Sequence, residues 1–302
     1  MKNRYKKFVL EAGNGIYFDV SNGANGELII RALSINRSKV YSTNYVKPPI
    51  PEGYKHICGE WNNGFVIERC FDGSQFVWIP VGSLDYNGTL DGDSFDEKFG
   101  RRDYKNNNNF FGNGYNEIFT YELEMQLESV KKYGGFYISR YNISKSSDGK
   151  PQSVRGAMPW VIEKGDEAKK IASTIENNEA VKSHLTFGAE YDSILEWFIK
   201  TKVKTIAEIV NDSTKWGNYC NSENNYSGKV VKTGSKEEWC VNNIYDFAGN
   251  VDEWTQEKWN SFYIFRGGSA SYKNLYPVAA REYTRFHTNY FFTGFRAALY
   301  IK

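Results

Sequence analysis

The spacing of apolar and polar positions predicts a chain of short strands interrupted by a few helices. Apolar residues recur every three or four positions in 121–132, 166–175 and 188–200, which is the period of an amphipathic helix. Compact apolar runs at 65–67, 76–79 and 136–143 are typical of strands. Asp72 and Gly73 separate the first two of these runs and supply the positive φ that a hairpin turn needs.

The N-terminal part is predicted to be separate from the rest. Two strand-like runs, 15–20 and 27–33, flank a Ser-Asn-Gly-Ala-Asn-Gly turn, and Pro48, Pro49 and Pro51 then predict a stiff linker. We expect an N-terminal extension over 1–50, a linker and hairpin over 51–73, and the main domain over 74–302. The extension is interpreted either as an attachment element or as an extra β-layer on the main domain.

Charge and hydropathy argue against several classes of protein. The formal net charge is only +2 and both signs are mixed along the 302 residues, which argues against a nucleic-acid binder with a concentrated basic face. No apolar run approaches the roughly 18 residues of a membrane span. The first residues lack the apolar segment of a secretory signal. We therefore expect no membrane span and synthesis in the cytoplasm, where the protein remains or from which it joins a phage virion.

The four cysteines predict neither a metal site nor a disulfide scaffold, since they show no CxxC spacing. On oxidation, disulfides could join Cys58 to Cys70 and Cys220 to Cys240. In a chain without a secretory signal, buried reduced thiols are the favoured interpretation.

Three blocks near the C-terminus have the features of a rigid frame: 245–254, 265–269 and 294–300. Arg266 and Arg296 are expected to pair with buried carboxylates or carbonyl groups. Core side chains are expected from Trp254, Phe295 and Leu299. Four glycines are expected where the backbone needs a positive φ or a close approach, namely Gly249, Gly267, Gly268 and Gly294.

These blocks, read as Asp-Phe-Ala-Gly-Asn-Val-Asp-Glu-Trp, Arg-Gly-Gly-Ser and Gly-Phe-Arg, resemble the formylglycine-generating enzyme (sulfatase-modifying factor) family. The resemblance covers roughly residues 74–302, and 76–81 and 136–144 match the family's first two strands in order. It implies an α+β protein with the C-type lectin fold of that family, preceded here by a small β-rich extension. It says little about activity, because function resides in the site.

The resemblance also implies a calcium site in the first block. Carried over by position, the ligands are the side chains of Asp246 and Glu253 with the carbonyl groups of Gly249 and Val251. Such all-oxygen ligation suits a hard cation, and a structural Ca²⁺ is expected. The alternative is a metal-free turn in which Asp246 caps backbone N–H groups.

The resemblance does not extend to the family's catalytic centre. Formylglycine-generating enzymes oxidise a peptide cysteine with two cysteines that also hold copper, and here no cysteine follows Cys240. Related sulfoxide synthases use iron-binding histidines, whereas this chain has only the scattered His56, His184 and His287. We therefore expect neither copper nor enzyme activity.

Aromatic residues crowd the segment from Trp259 onward, interleaved with Ser, Thr, Asn and His. Tyrosine offers a large amphipathic contact at low entropy cost, and small polar residues adapt their hydrogen bonds. A core role is the alternative, and we expect it for Phe265, Tyr283 and Tyr300. The predicted ligand-binding residues are Phe262, Tyr263, Ser271, Tyr272, Asn274, Tyr276, Arg285, Phe286, His287, Asn289, Tyr290, Phe291 and Phe292.

The segment also resembles the variable proteins of diversity-generating retroelements, which share this fold branch and are often phage-encoded. In those proteins, adenines of Asn-type codons are randomised between the Arg-Gly-Gly-Ser and Gly-Phe-Arg blocks. Every residue of 284–293 belongs to the set that such codons can encode, whereas Lys273 and Glu282 do not.

The leading hypothesis is a non-enzymatic recognition protein, diversified by a retroelement, that binds protein or glycan ligands on a cell surface through its C-terminal aromatic loops. One alternative is an oxidoreductase of the sulfatase-modifying type with a non-standard centre. Another is a carbohydrate-binding module of a phage tail or cell surface. The ligand and the oligomeric state are left open.

Overall fold

The computed structural model describes residues 48–81, 104, 120–220, 228–272, 276–283 and 292–302, and the backbone alone of 16–22, 28–34 and 116–117. The chain divides into two compact units, Met1–Tyr45 with Tyr86–Gly88 and Val46–Asp85 with Thr89–Lys302. In the first unit, β1 (Ile16–Asn22) pairs antiparallel with β2 (Leu28–Ser34). These two strands confirm the two runs predicted there, while the three-part division of the chain stays a prediction.

The second unit mixes strands and helices. Its strands are β3 (Tyr54–Cys58), β4 (Val66–Arg69), β5 (Gln75–Pro80), β6 (Asn116–Glu117), β7 (Gly135–Ser139), β8 (Ser144–Lys145), β9 (Pro151–Gln152), β10 (Val181–Leu185), β11 (Cys240–Val241), β12 (Ile244–Tyr245), β13 (Asp252–Trp259), β14 (Phe262–Arg266), β15 (Glu282–Tyr283), β16 (Thr293–Phe295) and β17 (Ala297–Ile301). Its helices are α1 (Tyr121–Tyr133), α2 (Gly165–Ala172), α3 (Gly188–Lys200) and α4 (Ile206–Val210), and 3₁₀ turns lie at Thr214–Trp216 and Glu237–Trp239. The α+β class is therefore confirmed.

Two larger sheets organise this unit. One has six strands in the order β10-β17-β7-β5-β4-β3, and its pairs are antiparallel. The other has the order β15-β14-β13-β16, with β6 also on β13. Strand β16 runs parallel to β13 and is followed at once by β17, so the last ten residues of the chain join both sheets.

The core lies on both faces of the six-stranded sheet. In β5, Phe76 and Trp78 belong to one buried cluster, while Val77 and Ile79 belong to another that includes Leu195 of α3. Successive side chains of a strand point to opposite faces, so a strand covered on both sides is apolar at nearly every position. This arrangement explains the uninterrupted apolar run at 76–79.

The predicted helices and the β4–β5 hairpin are confirmed. Helix α3 begins and ends where its pattern predicted, and its stripe of Tyr191, Ile194 and Phe198 is buried. Gly73 has φ 75° in the hairpin turn, as expected for that position. Within the described residues, the helices are too short or too polar to cross a lipid bilayer.

Two expectations about burial need correction. All four cysteines are free, but Cys70 is exposed and the other three are half-buried rather than buried. Phe265 and Tyr300 lie in the core as expected, whereas Tyr283 is half-buried because it sits on β15 at the edge of its sheet.

Candidate functional site

Four buried charged side chains hold the Arg-Gly-Gly-Ser segment in place. Arg266 donates from Nη2 to Oδ1 of Asp192 at 2.8 Å, and its Nη1 lies 3.4 Å from Oε1 of Glu257. Arg281 donates from Nε to both oxygens of Glu257 at 3.1 Å and also bonds Asp192. Two charges of each sign meet in a dry cluster, which fixes β13, β14 and α3 to one another. The pairing expected for Arg266 is confirmed.

The second predicted arginine, Arg296, is also paired. It donates from Nε to Oε1 of Glu253 at 2.6 Å and from Nη1 to the carbonyl oxygen of Ser139 at 2.9 Å. Nδ2 of Asn142, which follows β7, donates to the same Glu253 oxygen at 2.7 Å. The Gly-Phe-Arg block thus binds the end of the turn that holds the predicted calcium ligands.

That turn, residues 246–253, is tightly wound and buried. Asp246, Gly249 and Asn250 have φ values of 54°, 74° and 64°, in the left-handed region that Gly tolerates best and Asn and Asp tolerate better than most. Asn250 does not face the predicted site, because its Oδ1 accepts from Nδ2 of Asn218 and from the backbone N–H of Val231. Gly267, Gly268 and Gly294 also occupy the special backbone positions expected of them.

The predicted metal ligands fit a calcium ion in their chemistry. Oδ2 of Asp246 accepts from the backbone N–H of Gly234 at 2.7 Å, which is the capping role given above as the alternative. Its other oxygen, Oδ1, is buried and accepts no hydrogen bond within the described part of the chain, so an acceptor remains for a cation. The described residues contain no cluster of three His, Cys, Asp or Glu side chains suited to a metal. Calcium needs no such cluster when carbonyl oxygens complete the shell.

Burial makes both carboxylates of the turn reluctant to ionise. It raises the pKa of Asp246 to about 6, although the Gly234 N–H favours the charged form. It also raises the pKa of Glu253 to about 7, against the opposing effect of the Arg296 guanidinium. A divalent cation would stabilise both charged forms.

A second group of polar side chains lies beside the Arg-Gly-Gly-Ser block, and we name it the polar–aromatic site: Asp252, Ser269, Ser271, Tyr272, Tyr276 and Glu282. The rings of Tyr272 and Tyr276 are 4.4 Å apart, and Oγ of Ser269 lies 2.9 Å from Oγ of Ser271. Ser271 is exposed and both tyrosines are half-buried, so the site reaches the surface.

Two buried carboxyl groups lie close to the two tyrosines. Asp252 is only 4 % exposed, and among the described residues it forms no ion pair. Burial raises the pKa of Asp252 well above its usual value, and the nearby Glu282 raises it further, while a hydrogen bond with Ser269 opposes the shift. Burial likewise raises the pKa of Glu282 to about 8. The pKa of Tyr272 is also raised, most strongly by burial and next by the nearby Asp252 and Glu282.

The predicted residues Phe262 and Tyr263 face opposite sides of their sheet. Phe262 lies with Trp259 and Tyr283, at ring distances of 6.5 and 6.1 Å, and Trp259 and Tyr283 are 4.2 Å apart. Tyr263 instead packs on the start of α2, where a Cβ added at Gly165 would lie 2.5 Å from its ring. Consecutive residues of a strand alternate in direction, so these two cannot edge a single binding face.

Seven of the predicted binding residues lie outside the described residues: Asn274, Arg285, Phe286, His287, Asn289, Tyr290 and Phe291. Phe292 is half-buried just before β16. Of the predicted residues that are described, the structure brings Ser271, Tyr272 and Tyr276 together. Their role in binding stays a prediction.

Sequence reasoning missed the acidic residues of the polar–aromatic site. Asp252 stands between Val251 and Glu253 in the predicted metal block. Its meeting with Glu282 depends on β13 and β15 both flanking β14. The sequence offered one signal of this site: Asp252 is an acidic residue at a strand position in a block that is otherwise buried.

The two described histidines make structural contacts with neighbouring residues. His184 is fully buried, and its Nε2 lies 2.9 Å from Oε1 of Glu190. His56 is exposed, stacks on Phe65 at 4.1 Å and bonds the carbonyl oxygens of Cys58 and Gly59 through Nε2. His287 lies outside the described residues.

Comparisons with known proteins identify no family. No protein-family model matches the chain, and no curated protein matches it. Among solved structures, the chain is similar to that of PvdO from Pseudomonas aeruginosa, with a TM-score of 0.44 and 16% sequence identity, over 78% of this chain and 97% of that one. A likeness this distant carries no functional argument.

Proposed function

We propose that the protein is a non-enzymatic ligand-recognition protein with the C-type lectin fold of the formylglycine-generating enzyme type, and that the polar–aromatic site is the centre of its binding face. The observation that carries the proposal is a partly exposed tyrosine pair above a buried carboxylate, Asp252, without an ion-pair partner in the described part of the chain. This combination offers a ligand both ring surface and a carboxyl group whose ionisation a bound cation would favour.

The backbone beneath these side chains is held firmly. The N–H of Tyr272 donates to the carbonyl oxygen of Ser269 at 3.1 Å, and its carbonyl oxygen accepts from the N–H of Cys220 at 2.8 Å. The buried hydroxyl of Tyr219 donates to the carbonyl oxygen of Gly267 at 2.7 Å. A preorganised backbone lowers the entropy cost of ordering the binding side chains. Such a base supports recognition by rigid aromatic anchors.

The chemistry of the site favours a ligand that carries positive charge. An ammonium or guanidinium group placed near Tyr272 and Tyr276 would gain cation–π attraction. Its charge would also lower the pKa of Asp252 and Glu282, and the resulting carboxylates would complement it. The hydroxyls of Ser269 and Ser271 add hydrogen-bond partners. The proposed ligand is therefore a protein segment that presents a Lys or Arg side chain.

The test is a selection from a random-peptide display library on the full-length protein. We expect enrichment of peptides containing Lys or Arg. Tyr272→Ala and Tyr276→Ala should each weaken a selected peptide by about thirtyfold, as expected for a binding hot spot. Tyr121→Ala is the matched control, since Tyr121 is 73% exposed outside the site. Failure to enrich any peptide, or equal affinity in all three variants, would refute the proposal.

A glycan ligand is the second candidate, favoured by the three half-buried rings of Trp259, Phe262 and Tyr283. Adjacent aromatic rings offer apolar contact to the carbon face of a sugar, and indole contributes the largest area. A glycan array should then show binding that Trp259→Ala removes and Tyr272→Ala leaves unchanged. Signal lost only with Tyr272→Ala would assign the glycan to the polar–aromatic site instead.

Retroelement diversification is a separate part of the proposal with its own test. The expected finding is a near-copy of the 3′ coding end beside a reverse transcriptase gene, differing from the coding end at adenines. A genome without such a copy would refute diversification and leave the binding site as proposed.

A further inference from the structure

Two buried oxygen atoms near the 246–253 turn accept no hydrogen bond from any residue that the structure describes. They are Oδ1 of Asp246, a residue 1% exposed, and Oδ1 of Asn142, a residue 0% exposed. The opposite atom of each side chain is engaged, since Oδ2 of Asp246 accepts from Gly234 and Nδ2 of Asn142 donates to Glu253. These bonds leave one oxygen of Asp246 and the amide oxygen of Asn142 unused, and buried acceptors in native proteins ordinarily have a partner.

The two oxygens belong to one cluster built around Arg296. This side chain donates to Glu253 Oε1 and to the carbonyl oxygen of Tyr245, the residue before Asp246, while Asn142 donates to that same Glu253 oxygen. The buried Arg296 guanidinium forms an ion pair with Glu253, and its charge also lowers the pKa of the buried Asp246. The cluster holds more negative than positive charge, and its unbonded atoms are oxygens.

We propose that Asn142 is a ligand of a Ca²⁺ ion bound in this cluster, through its Oδ1 and together with Oδ1 of Asp246. The family resemblance implies ligands from residues 246–253 alone, whereas Asn142 lies 111 residues before Glu253. The ion would thereby join the end of β7 to the start of β13.

The donor set explains the choice of ion. Calcium accepts six to eight oxygen ligands, mixing carboxylates, side-chain amides and backbone carbonyls, whereas zinc prefers nitrogen and sulfur. The cluster offers Asp246, Glu253 and Asn142, with the carbonyl groups of Gly249 and Val251 in the same turn. Because Arg296 and Asn142 already occupy Oε1 of Glu253, its Oε2 is the oxygen left for the ion.

The test uses the full-length protein stripped of metal with EDTA, titrated with CaCl₂ by calorimetry and followed in parallel by thermal unfolding. Wild type should bind Ca²⁺ and melt at a higher temperature with it. Asn142→Leu removes the ligand oxygen at similar volume and should weaken Ca²⁺ affinity by about tenfold or more. Asn142→Asp keeps a ligand oxygen but loses the Nδ2 donor to Glu253, so it should bind Ca²⁺ more tightly than Asn142→Leu.

The control is Asp148→Asn, which removes an exposed carboxylate in the β8–β9 connection and should leave the affinity unchanged. Absence of calcium binding and of any melting shift in wild type would overturn the whole proposal. Equal Ca²⁺ affinity in wild type and Asn142→Leu would overturn the role of Asn142 and would leave calcium binding by the 246–253 turn as expected. Should Asn142→Leu fail to fold, affinity equal to wild type in Asn142→Ala would overturn it equally.

Discussion

Arg281 shows how much of the frame depends on single buried charges. It shares Asp192 and Glu257 with Arg266, and removing either arginine would leave the two carboxylates with half of their positive charge. A buried ion that loses its partner is strongly destabilising, even where the intact pair adds little stability.

We therefore expect Arg281→Met to lower the free energy of unfolding by about 3–5 kcal/mol. Arg155→Met is the matched control, because the Arg155 side chain is 51% exposed in its pair with Glu237 and should cost under about 1 kcal/mol. Urea unfolding of both variants measures the two losses. Equal losses would mean that the buried cluster is not held by its charges.

For single residues, the sequence predicted which arginines need a partner but not which residues those partners are. Arg266 and Arg296 were expected to be paired because an arginine inside an apolar block needs a carboxylate or carbonyl group. Asp192 lies 74 residues before Arg266 in the chain, and no local pattern links the two. The pairing follows from the packing of α3 against β13 and β14.

Among the elements, α1 shows how local signals define both ends of a helix. Thr120 caps the start, where its Oγ1 accepts from the N–H of Leu123 at 3.2 Å. Gly134 ends it with φ 76°, and its N–H donates to the carbonyl oxygen of Val130 at 2.7 Å. This left-handed ending is the usual role of a glycine after a helix.

We expect Gly134→Ala to destabilise the protein by about 1–2 kcal/mol, through backbone strain alone. A Cβ added at Gly134 meets no atom within 4 Å, so steric contact adds nothing. Gly134→Asn should cost clearly less, since Asn tolerates this conformation better. Thermal unfolding of both variants is the measurement, and equal losses would show that strain is not the cause.

Elements with a local signal were predictable, and those made by distant pairing were not. The β4–β5 hairpin, α1 and α3 could be predicted because period and turn residues lie within one short stretch. The parallel pairing of β16 with β13 had no such signal, since the strands come from segments about forty residues apart. Likewise, Phe262 and Tyr263 contact different neighbours because other parts of the chain pack on both faces of β14.

For the whole molecule, buried carboxylates set the response to pH. Burial raises the pKa of Asp246, Glu253 and Glu282 to about 6, 7 and 8, from usual values of 3.8, 4.5 and 4.5, and raises that of Asp252 as well. Burial alone would lower the pKa of His184, but the facing Glu190 raises it above 6.5. In each case the folded state binds protons more tightly than the unfolded state.

Stability in EDTA should therefore be highest near pH 4–5 and fall as the pH rises to about 8, because the folded state must give up protons that the unfolded chain has already lost. Asp252→Asn removes one of these carboxylates and should reduce the fall. Asp148→Asn, at an exposed position, should leave it unchanged. Urea midpoints at pH 5 and pH 8 measure the effect. Stability that rises over this interval would show that these carboxylates are ionised in the folded protein.

Local sequence signals are enough to predict the positions of α1 and α3, the β4–β5 turn, the glycines of the C-terminal blocks and the need of two arginines for partners. Each of these follows from a local period or from the backbone preference of one residue. The folded chain adds three features that no local signal predicts: Asp252 lies close to Glu282 and Tyr272, Asn142 bonds Glu253, and Phe262 and Tyr263 contact different neighbours. These depend on which distant strands become neighbours, and burial then changes the proton affinity of the carboxylates that they bring together.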